Sequence, residues 1–377
     1  MKTFLYCMIA ATLTVVACNN RHDIKTLPYR VNVDDNINNV RSVPLSKLGK
    51  ILEYIPLDSD TACLLNNISS LSLTDSFIFV SDRDKLLKFD KKGRFIKQIG
   101  SQGRGPDQYS NSGIFVTCKE KREIFVLDQR IILVFDFDGD FKYSFKTDLL
   151  NRQMIRGNDD ELILHPVNYA AQDDNTAYSL YFLDRTGAVK AKIPNAIKRV
   201  NGGLTVLVSP LYMYGGLPHF MEFGSDTLYV YKSHNKDPYV IFNLGRLKLP
   251  ADPSISEIPL LKNKMWVYDV MESANLILIK LFSLLSDSVS TCVFNKASSE
   301  FSILKDHGFL NDLDGGLTFW PKKITGDSLM IDYTDAFNLI RYSRNHTSPS
   351  GEGNRFNEVA SQLSETSNPV LILLRDK

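Results

Sequence analysis

Phe79-Val80-Ser81-Asp82, then Leu87-Lys88-Phe89-Asp90-Lys91-Lys92-Gly93-Arg94-Phe95, returns as Phe125-Val126-Leu127-Asp128, then Leu133-Val134-Phe135-Asp136-Phe137-Asp138-Gly139-Asp140-Phe141. The matched residues are all 46 positions apart. A constant period of this length marks a repeat architecture, in which each unit is one supersecondary piece that cannot bury its apolar faces alone. The apolar runs are short and rich in aromatic and β-branched residues, so they read as strands. They are nearly continuous rather than alternating, which suits a sheet covered on both faces. Asp90 to Gly93 and Asp136 to Gly139 read as hairpin turns, the Asp accepting backbone N–H groups and the Gly supplying a positive φ.

A third copy, Tyr181 to Val189, lies 48 residues beyond the second, with Asp184 and Gly187 as its turn. Later strand cores, Phe223 to Tyr231, Ser290 to Phe294 and Ser328 to Tyr333, keep the apolar run and lose the Gly. A repeated antiparallel meander of 40 to 50 residues, apolar on both faces, is the pattern of a β-propeller blade. The fold class is therefore all-β. Ile51 to Leu57 and Val370 to Leu374 are strand-like and stand at opposite ends of the chain, as ring closure by terminal strands in one blade requires.

The chain opens Met1-Lys2, followed by an apolar run from Phe4 to Val16 that is too short to span a bilayer as a helix. With Val15-Val16-Ala17-Cys18 behind it, this segment reads as a signal peptide over residues 1–17. Val-Val-Ala-Cys resembles the bacterial lipobox, and that resemblance implies lipid attachment at Cys18, with the protein anchored to a membrane by its acyl chains. Residues 18–46 are polar and read as a tether, and 47–377 as the propeller. Of five cysteines, Cys63, Cys118 and Cys292 remain, an odd number without metal-binding spacing, and buried free thiols are the default reading. With 44 basic and 43 acidic residues the chain carries no basic excess, which disfavours nucleic-acid binding.

Four further motifs stand in order: Ile55-Pro56-Leu57, Ile99-Gly100-Ser101-Gln102-Gly103-Arg104-Gly105-Pro106-Asp107-Gln108-Tyr109, Asn311-Asp312-Leu313-Asp314-Gly315-Gly316 with Phe319-Trp320-Pro321, and Asn368-Pro369-Val370-Leu371-Ile372-Leu373. On these the mature chain resembles the six-bladed β-propeller lipoproteins of Gram-negative gut-type bacteria, relatives of the NHL-repeat propellers. The resemblance implies six four-stranded blades and an outer-membrane lipoprotein of the cell envelope, facing the periplasm or the exterior. Asp107-Gln108 stands where the usual pattern has a single Glu between Pro and Tyr.

Candidate sites follow from these loops. The Gly100–Gly105 segment lacks the Lys-Ser/Thr of a phosphate loop and opens no helix, so it reads as an inter-blade turn presenting Arg104 and Tyr109 at one mouth of the ring. Asp136, Asp138 and Asp140 have calcium-loop spacing, yet Phe141 and Thr147 occupy the positions that need Gly and Glu, and the hairpin turn is preferred. Asp312, Asp314 and Trp320 combine carboxylates with an aromatic face on a Gly-rich loop, a pattern suited to sugars, with a plug between blades as the other reading. His165, His219 and His307 are spaced near one and two blade repeats, and an axial zinc site for a metal-dependent lyase or hydrolase is the alternative to ordinary structural histidines. The expectation is a monomeric recognition or scaffold module with no cofactor, binding a protein, peptide or glycan at one mouth of the ring.

Overall fold

The computed structural model describes residues 27–147, 150–158, 160–167, 178–201, 209–254, 256–283, 288–326, 328–346 and 355–375. The chain begins with β1 (Tyr29–Asn32), β2 (Val40–Arg41) and β3 (Ile51–Pro56). The first blade is β4 (Ser70–Leu73), β5 (Phe77–Ser81), β6 (Leu86–Asp90) and β7 (Phe95–Ile99). The second is β8 (Phe115–Cys118), β9 (Glu123–Asp128), β10 (Ile131–Asp136) and β11 (Phe141–Lys146). The third is β12 (Asn151–Arg156), β13 (Leu162–Pro166), β14 (Tyr178–Leu183) and β15 (Val189–Pro194). The fourth is β16 (Leu211–Tyr214), β17 (Leu217–Phe220), β18 (Thr227–Lys232) and β19 (Asn235–Asn243). The fifth is β20 (Met265–Glu272), β21 (Leu276–Ser283), β22 (Ser288–Asn295) and β23 (Phe301–Leu304). The sixth takes β24 (Lys323–Thr325), β25 (Leu329–Thr334) and β26 (Val370–Arg375) from the end of the chain and β3 from its start. Helices α1 (Ala336–Asn345) and α2 (Arg355–Ser361) are inserted between β25 and β26.

The three Asp-x-x-Gly segments close hairpins by one mechanism. Asp90 Oδ1 accepts the N–H groups of Lys92 (2.8 Å) and Arg94 (3.0 Å), Asp136 those of Asp138 and Asp140, and Asp184 those of Thr186 and Ala188. Gly93, Gly139 and Gly187 hold φ of 84°, 88° and 92° and donate back to the Asp carbonyl. Beside each turn lies a one-residue register shift, between Lys88 and Phe89, Val134 and Phe135, and Phe182 and Leu183. The fifth blade reaches the same end without Gly: Asn295 caps Ala297 and Ser298, and Ser299 takes the positive φ.

The core lies between blades. Ile78 and Val80 face the sixth blade's Ile331 and Leu371, while Phe79 on the opposite face meets Val126 and Phe135 of the second. Ile124 and Val126 likewise face the first blade, and Phe125 and Leu127 face Met154 and Leu164 of the third. Successive clusters join third to fourth, fourth to fifth and fifth to sixth, so apolar burial runs round a closed ring. This is why the strands read as continuous apolar runs. Closure pairs β26 with β3 from Val370–Pro56 to Arg375–Ile51. Buried Asn368 latches it, its side chain accepting from Leu65 N–H and donating to the carbonyls of Asp58 and Cys63. Cys63, Cys118 and Cys292 are free and buried.

The expected tether is corrected over residues 27–46. β1 pairs in parallel with β19 and gives the fourth blade a fifth strand, and β2 does the same against β23 of the fifth blade. Val31 and Val33 are fully buried among Val240, Phe242 and Phe294. Each such valine contributes about 1.5–3 kcal/mol by leaving water. The acidic stretch that suggested a solvated linker is a short turn over Asp34–Asn36, whose Asp34 carboxylate binds Arg246 Nε at 2.8 Å. The folded unit thus starts about twenty residues before the expected boundary at 47. Cys18 lies outside the described residues.

Candidate functional site

Most loop residues chosen from sequence serve the scaffold. Tyr109 is fully buried; its hydroxyl donates to Ile99 carbonyl (2.9 Å) and accepts from Leu86 N–H (3.1 Å), tying the loop to the first blade. Arg104 is exposed on that loop. Gly103 and Gly105 pack closely on Gln108, whose Oε1 accepts from Gly105 N–H (2.9 Å) and would lie 2.0 Å from a Cβ at Gly103. Asp312 accepts from the backbone and hydroxyl of Ser46, and Asp314 from Asn311 Nδ2 (2.7 Å), Gly316 N–H (3.0 Å) and Tyr54 hydroxyl (3.4 Å). Burial pushes the Asp314 carboxyl up from its ordinary value. Trp320 is not an open platform: it stacks on Phe309 (centroids 6.2 Å apart, planes 12° apart) among Met271, Leu278, Met330 and Ile372, between the fifth and sixth blades. The plug reading is the one the geometry supports, because a large apolar ring before Pro321 finds its cover in the inter-blade seam.

The three histidines do not converge. His165 and His219 sit on β13 and β17, the second strands of their blades, not on the innermost ones, and both are buried. His165 Nδ1 pairs with Ser179 carbonyl at 2.7 Å and its ring packs on Phe220, whereas His219 Nδ1 pairs with Leu217 carbonyl at 3.0 Å and its ring stacks on Tyr212. Burial lowers each to a pKa of about 4. His307 is exposed on the loop after β23. Among the described residues no three His, Cys, Asp or Glu side chains are placed to share a metal ion.

A concave surface shared by all six blades lies on the axis instead. β4, β8, β12, β16, β20 and β24, the first strand of every blade, line one cavity of about 780 Å³. That is within the range of small-ligand sites. Its wall carries Lys119, Arg152, Arg156, Lys322 and Lys323 against Glu120, Asp269 and Glu272, with Ser70, Ser72, Thr117 and Gln153 between them. Arg152 is there because β12 bulges: Asn151 pairs with Pro166 and Gln153 with His165, leaving Arg152 as the extra residue. Such bulges re-aim a side chain. Lys323 Nζ donates to Leu71 carbonyl across the seam between the sixth and first blades. Burial, and then the charge of Lys119, lower the Lys323 pKa to about 8.

One side of the wall is braced from behind. Glu272, at the end of β20, binds Lys296 Nζ at 2.5 Å and accepts from the hydroxyls of Tyr239 (2.5 Å) and Tyr212 (2.9 Å). Lys296 also lies over the Tyr214 ring and donates to Ser273 carbonyl. Burial raises the Glu272 carboxyl from its ordinary value, and burial with the neighbouring Glu272 raises Tyr212 and Tyr239. The carboxylate, two phenols and a lysine therefore weld β16 to β20 and hold the channel edge still.

Residues 28–375 match the model of a family described as a domain of unknown function, DUF4934. The chain belongs to that family. This DUF4934 chain is similar in fold to the crystal structure of a protein from Bacteroides fragilis whose name marks it as exported, with a TM-score of 0.72, 15% identity, and 93% of this chain and 100% of that one covered. A weaker likeness, at a TM-score of 0.41 and 11% identity, covers 67% of this chain and 29% of the extracellular domain of a one-component system from B. thetaiotaomicron. No curated protein matches the DUF4934 chain.

The channel residues were missed from sequence because they sit on the first strand of each unit, which the repeat does not preserve. A signal exists in hindsight: Asn151–Arg156 and Lys323–Thr325 carry charges in strands whose blade partners are apolar.

Proposed function

We propose that this protein is a lipid-anchored recognition module of the bacterial cell envelope, whose ligand occupies the axial channel. The observation that carries the reading is the channel itself: one polar-walled cavity, framed by all six innermost strands and braced by Glu272 and Lys296. A rigid scaffold presenting a preformed concave surface suits binding. The lipobox-like Val15-Val16-Ala17-Cys18 supports acylation at Cys18, and the name of the similar B. fragilis protein, which marks it as exported, is consistent with an envelope address. The likeness to NHL-type propeller lipoproteins belongs to the same proposal.

The geometry also supports an orientation. β1 runs parallel to β19, which leaves the β18–β19 hairpin, so the chain climbs from the face that carries this hairpin. Nine residues from Cys18 to Leu27 reach about 30 Å at most. An anchor at Cys18 would hold that face toward the membrane and α1 and α2 away from it.

The test is thermal-shift screening of the purified mature chain against sugars, sugar acids, short peptides and small anions. At least one class is expected to raise the melting temperature of the wild type and not that of Gln153→Trp, which puts a bulky ring on the channel wall. Ligands that stabilise both alike would move the site elsewhere and sink the channel reading. For the anchor, Cys18→Ala should release the protein from the membrane fraction, and unchanged membrane retention would reject acylation.

A further inference from the structure

We infer that the channel's ligand is an anionic sugar, one carrying a carboxylate or a phosphate, and that Lys323, Arg152 and Lys119 receive its charge. The inference rests on the channel being the binding site and names what that site takes.

The argument is a balance of charge. A chain with 44 basic and 43 acidic residues has a net excess of one charge to distribute, yet the channel wall carries five cations against three carboxylates. All three carboxylates are already engaged: Glu120 with Arg156 at 2.9 Å, Asp269 with Lys280 at 3.6 Å, and Glu272 with Lys296 at 2.5 Å. Two of those partners, Lys280 and Lys296, lie behind the wall. Lys322 is held by Asp332 at 2.8 Å. What remains facing the cavity is Lys323, bonded only to a neutral carbonyl among the described residues, Arg152, for which the described residues provide no ion pair, and Lys119. Among the described residues the carboxylate that pairs with Lys119 is that of Asp75, 3.8 Å away and almost wholly in water.

Like charges do not gather in a partly enclosed cleft without cost. The low-dielectric walls focus the field of the cations, which repel one another; at Lys323 burial first and then the charge of Lys119 make the ammonium release its proton more readily than a free lysine. An anion between them relieves that repulsion, and none of the wall's own carboxylates is free to do so. Binding also asks for neutral partners along the ligand body. Ser72 and Thr117 offer a hydroxyl pair 2.8 Å apart, and the side chains of Gln153 and Thr325 line the same cavity. Acceptors and hydroxyls set beside cations match a polyhydroxylated anion better than a bare inorganic one.

The deciding experiment is calorimetric titration of the whole mature chain with glucuronate, glucose 6-phosphate, glucose and inorganic phosphate. Expected is binding of one or both anionic sugars at least about tenfold tighter than of glucose, a loss of about 1.4 kcal/mol for the neutral compound. The two anionic arms separate a carboxylate from a phosphate as the group recognised, and tighter binding of inorganic phosphate than of either sugar would overturn the sugar assignment. Lys323→Met and Arg152→Gln should each weaken the anionic sugar by about fivefold or more with unchanged melting curves, Lys323→Arg should restore most of it, and raised salt should weaken it. Glucose binding as tightly as the anions, or anion binding indifferent to both variants, overturns the charge assignment while leaving the channel as a site if Gln153→Trp still abolishes binding. No binding by any of the four probes at millimolar concentration overturns it as well.

Discussion

The first three blades and the last three solve one problem differently. In the first half of the ring each outer hairpin is closed by an Asp that caps the turn and a Gly at φ near 90°, and four strands suffice. In the second half that device is absent. The fourth blade turns through Ser233 and His234, both at positive φ, the fifth substitutes Asn295 and Ser299, and the sixth has no outer hairpin because two chain ends meet there. The irregular half is held by added parts: β1 and β2 on its rims, the Glu272–Lys296 brace between its fourth and fifth blades, and a helical insertion in its sixth. Local turn chemistry and long-range braces are thus interchangeable ways to hold a blade, and only the first is periodic.

The largest expected effect strikes the brace. Lys296→Met leaves Glu272 buried without its cation and should cost about 3–5 kcal/mol in chemical denaturation. A loss below about 1 kcal/mol would mean that the fourth and fifth blades need no weld.

Acid should reveal a matched pair across the two halves. His165 and His219 fall from an ordinary 6.5 to about 4 in the fold. Above pH 6.5 neither state is charged; between 6.5 and 4 the unfolded chain takes up protons that the folded one refuses, so stability falls as pH falls. Each histidine accounts for roughly 3 kcal/mol by pH 4. His165→Asn and His219→Asn should each flatten the stability-against-pH curve in that window, and an unchanged slope in either variant would show that histidine to be protonated in place.

The glycine turns offer a graded series within the regular half. A Cβ at Gly93 would lie 2.0 Å from the carbonyl oxygen of Pro56, backbone that cannot step aside, whereas at Gly139 it meets side-chain ends alone, Lys97 at 3.2 Å and the Ile99 methyl at 3.3 Å. Gly93→Ala should cost about 3 kcal/mol and Gly139→Ala about 1–2 kcal/mol, the cost of the left-handed backbone alone. Equal melting shifts for the two would deny that the first blade's turn is locked against β3. The smallest effect concerns the rim: Val31→Ala should cost about 1–2 kcal/mol, with hydrogen exchange rising in the fourth and fifth blades and not in the first three. Uniform exchange would make β1 part of one cooperative unit.

How much could be read in advance follows the same division. Phe79 and Phe125, Asp90 and Asp136, Gly93 and Gly139 recur because each blade repeats a short-range geometry, so strands, turns, two-sided burial and ring closure were legible. Trp320 and Tyr109 were recognisable as special, yet plug and platform stood side by side for Trp320, and Tyr109 was placed at a mouth of the ring, since a ring that plugs a seam and one that offers a platform look alike until the facing blade is in view. Residues 27–46 misled because Asp34, Asp35 and Asn36 read as solvated, and nothing local says that Arg246 waits for one of them. For His165, His219 and His307 the axial site stayed open only as the alternative to ordinary structural histidines, because spacing by repeat gives the strand's place in a blade but not its distance from the axis.

By itself the sequence determined the unit: a four-strand meander whose faces must both be covered, and chain ends able to complete one blade. Only the tertiary structure decided what the ring encloses. Arg152, Lys119 and Lys323 come from three different blades, and they become one wall because the innermost strands converge on an axis that no single repeat contains. Periodicity records contacts made within a blade and with its neighbour, whereas a site assembled from one side chain per blade leaves no period to read.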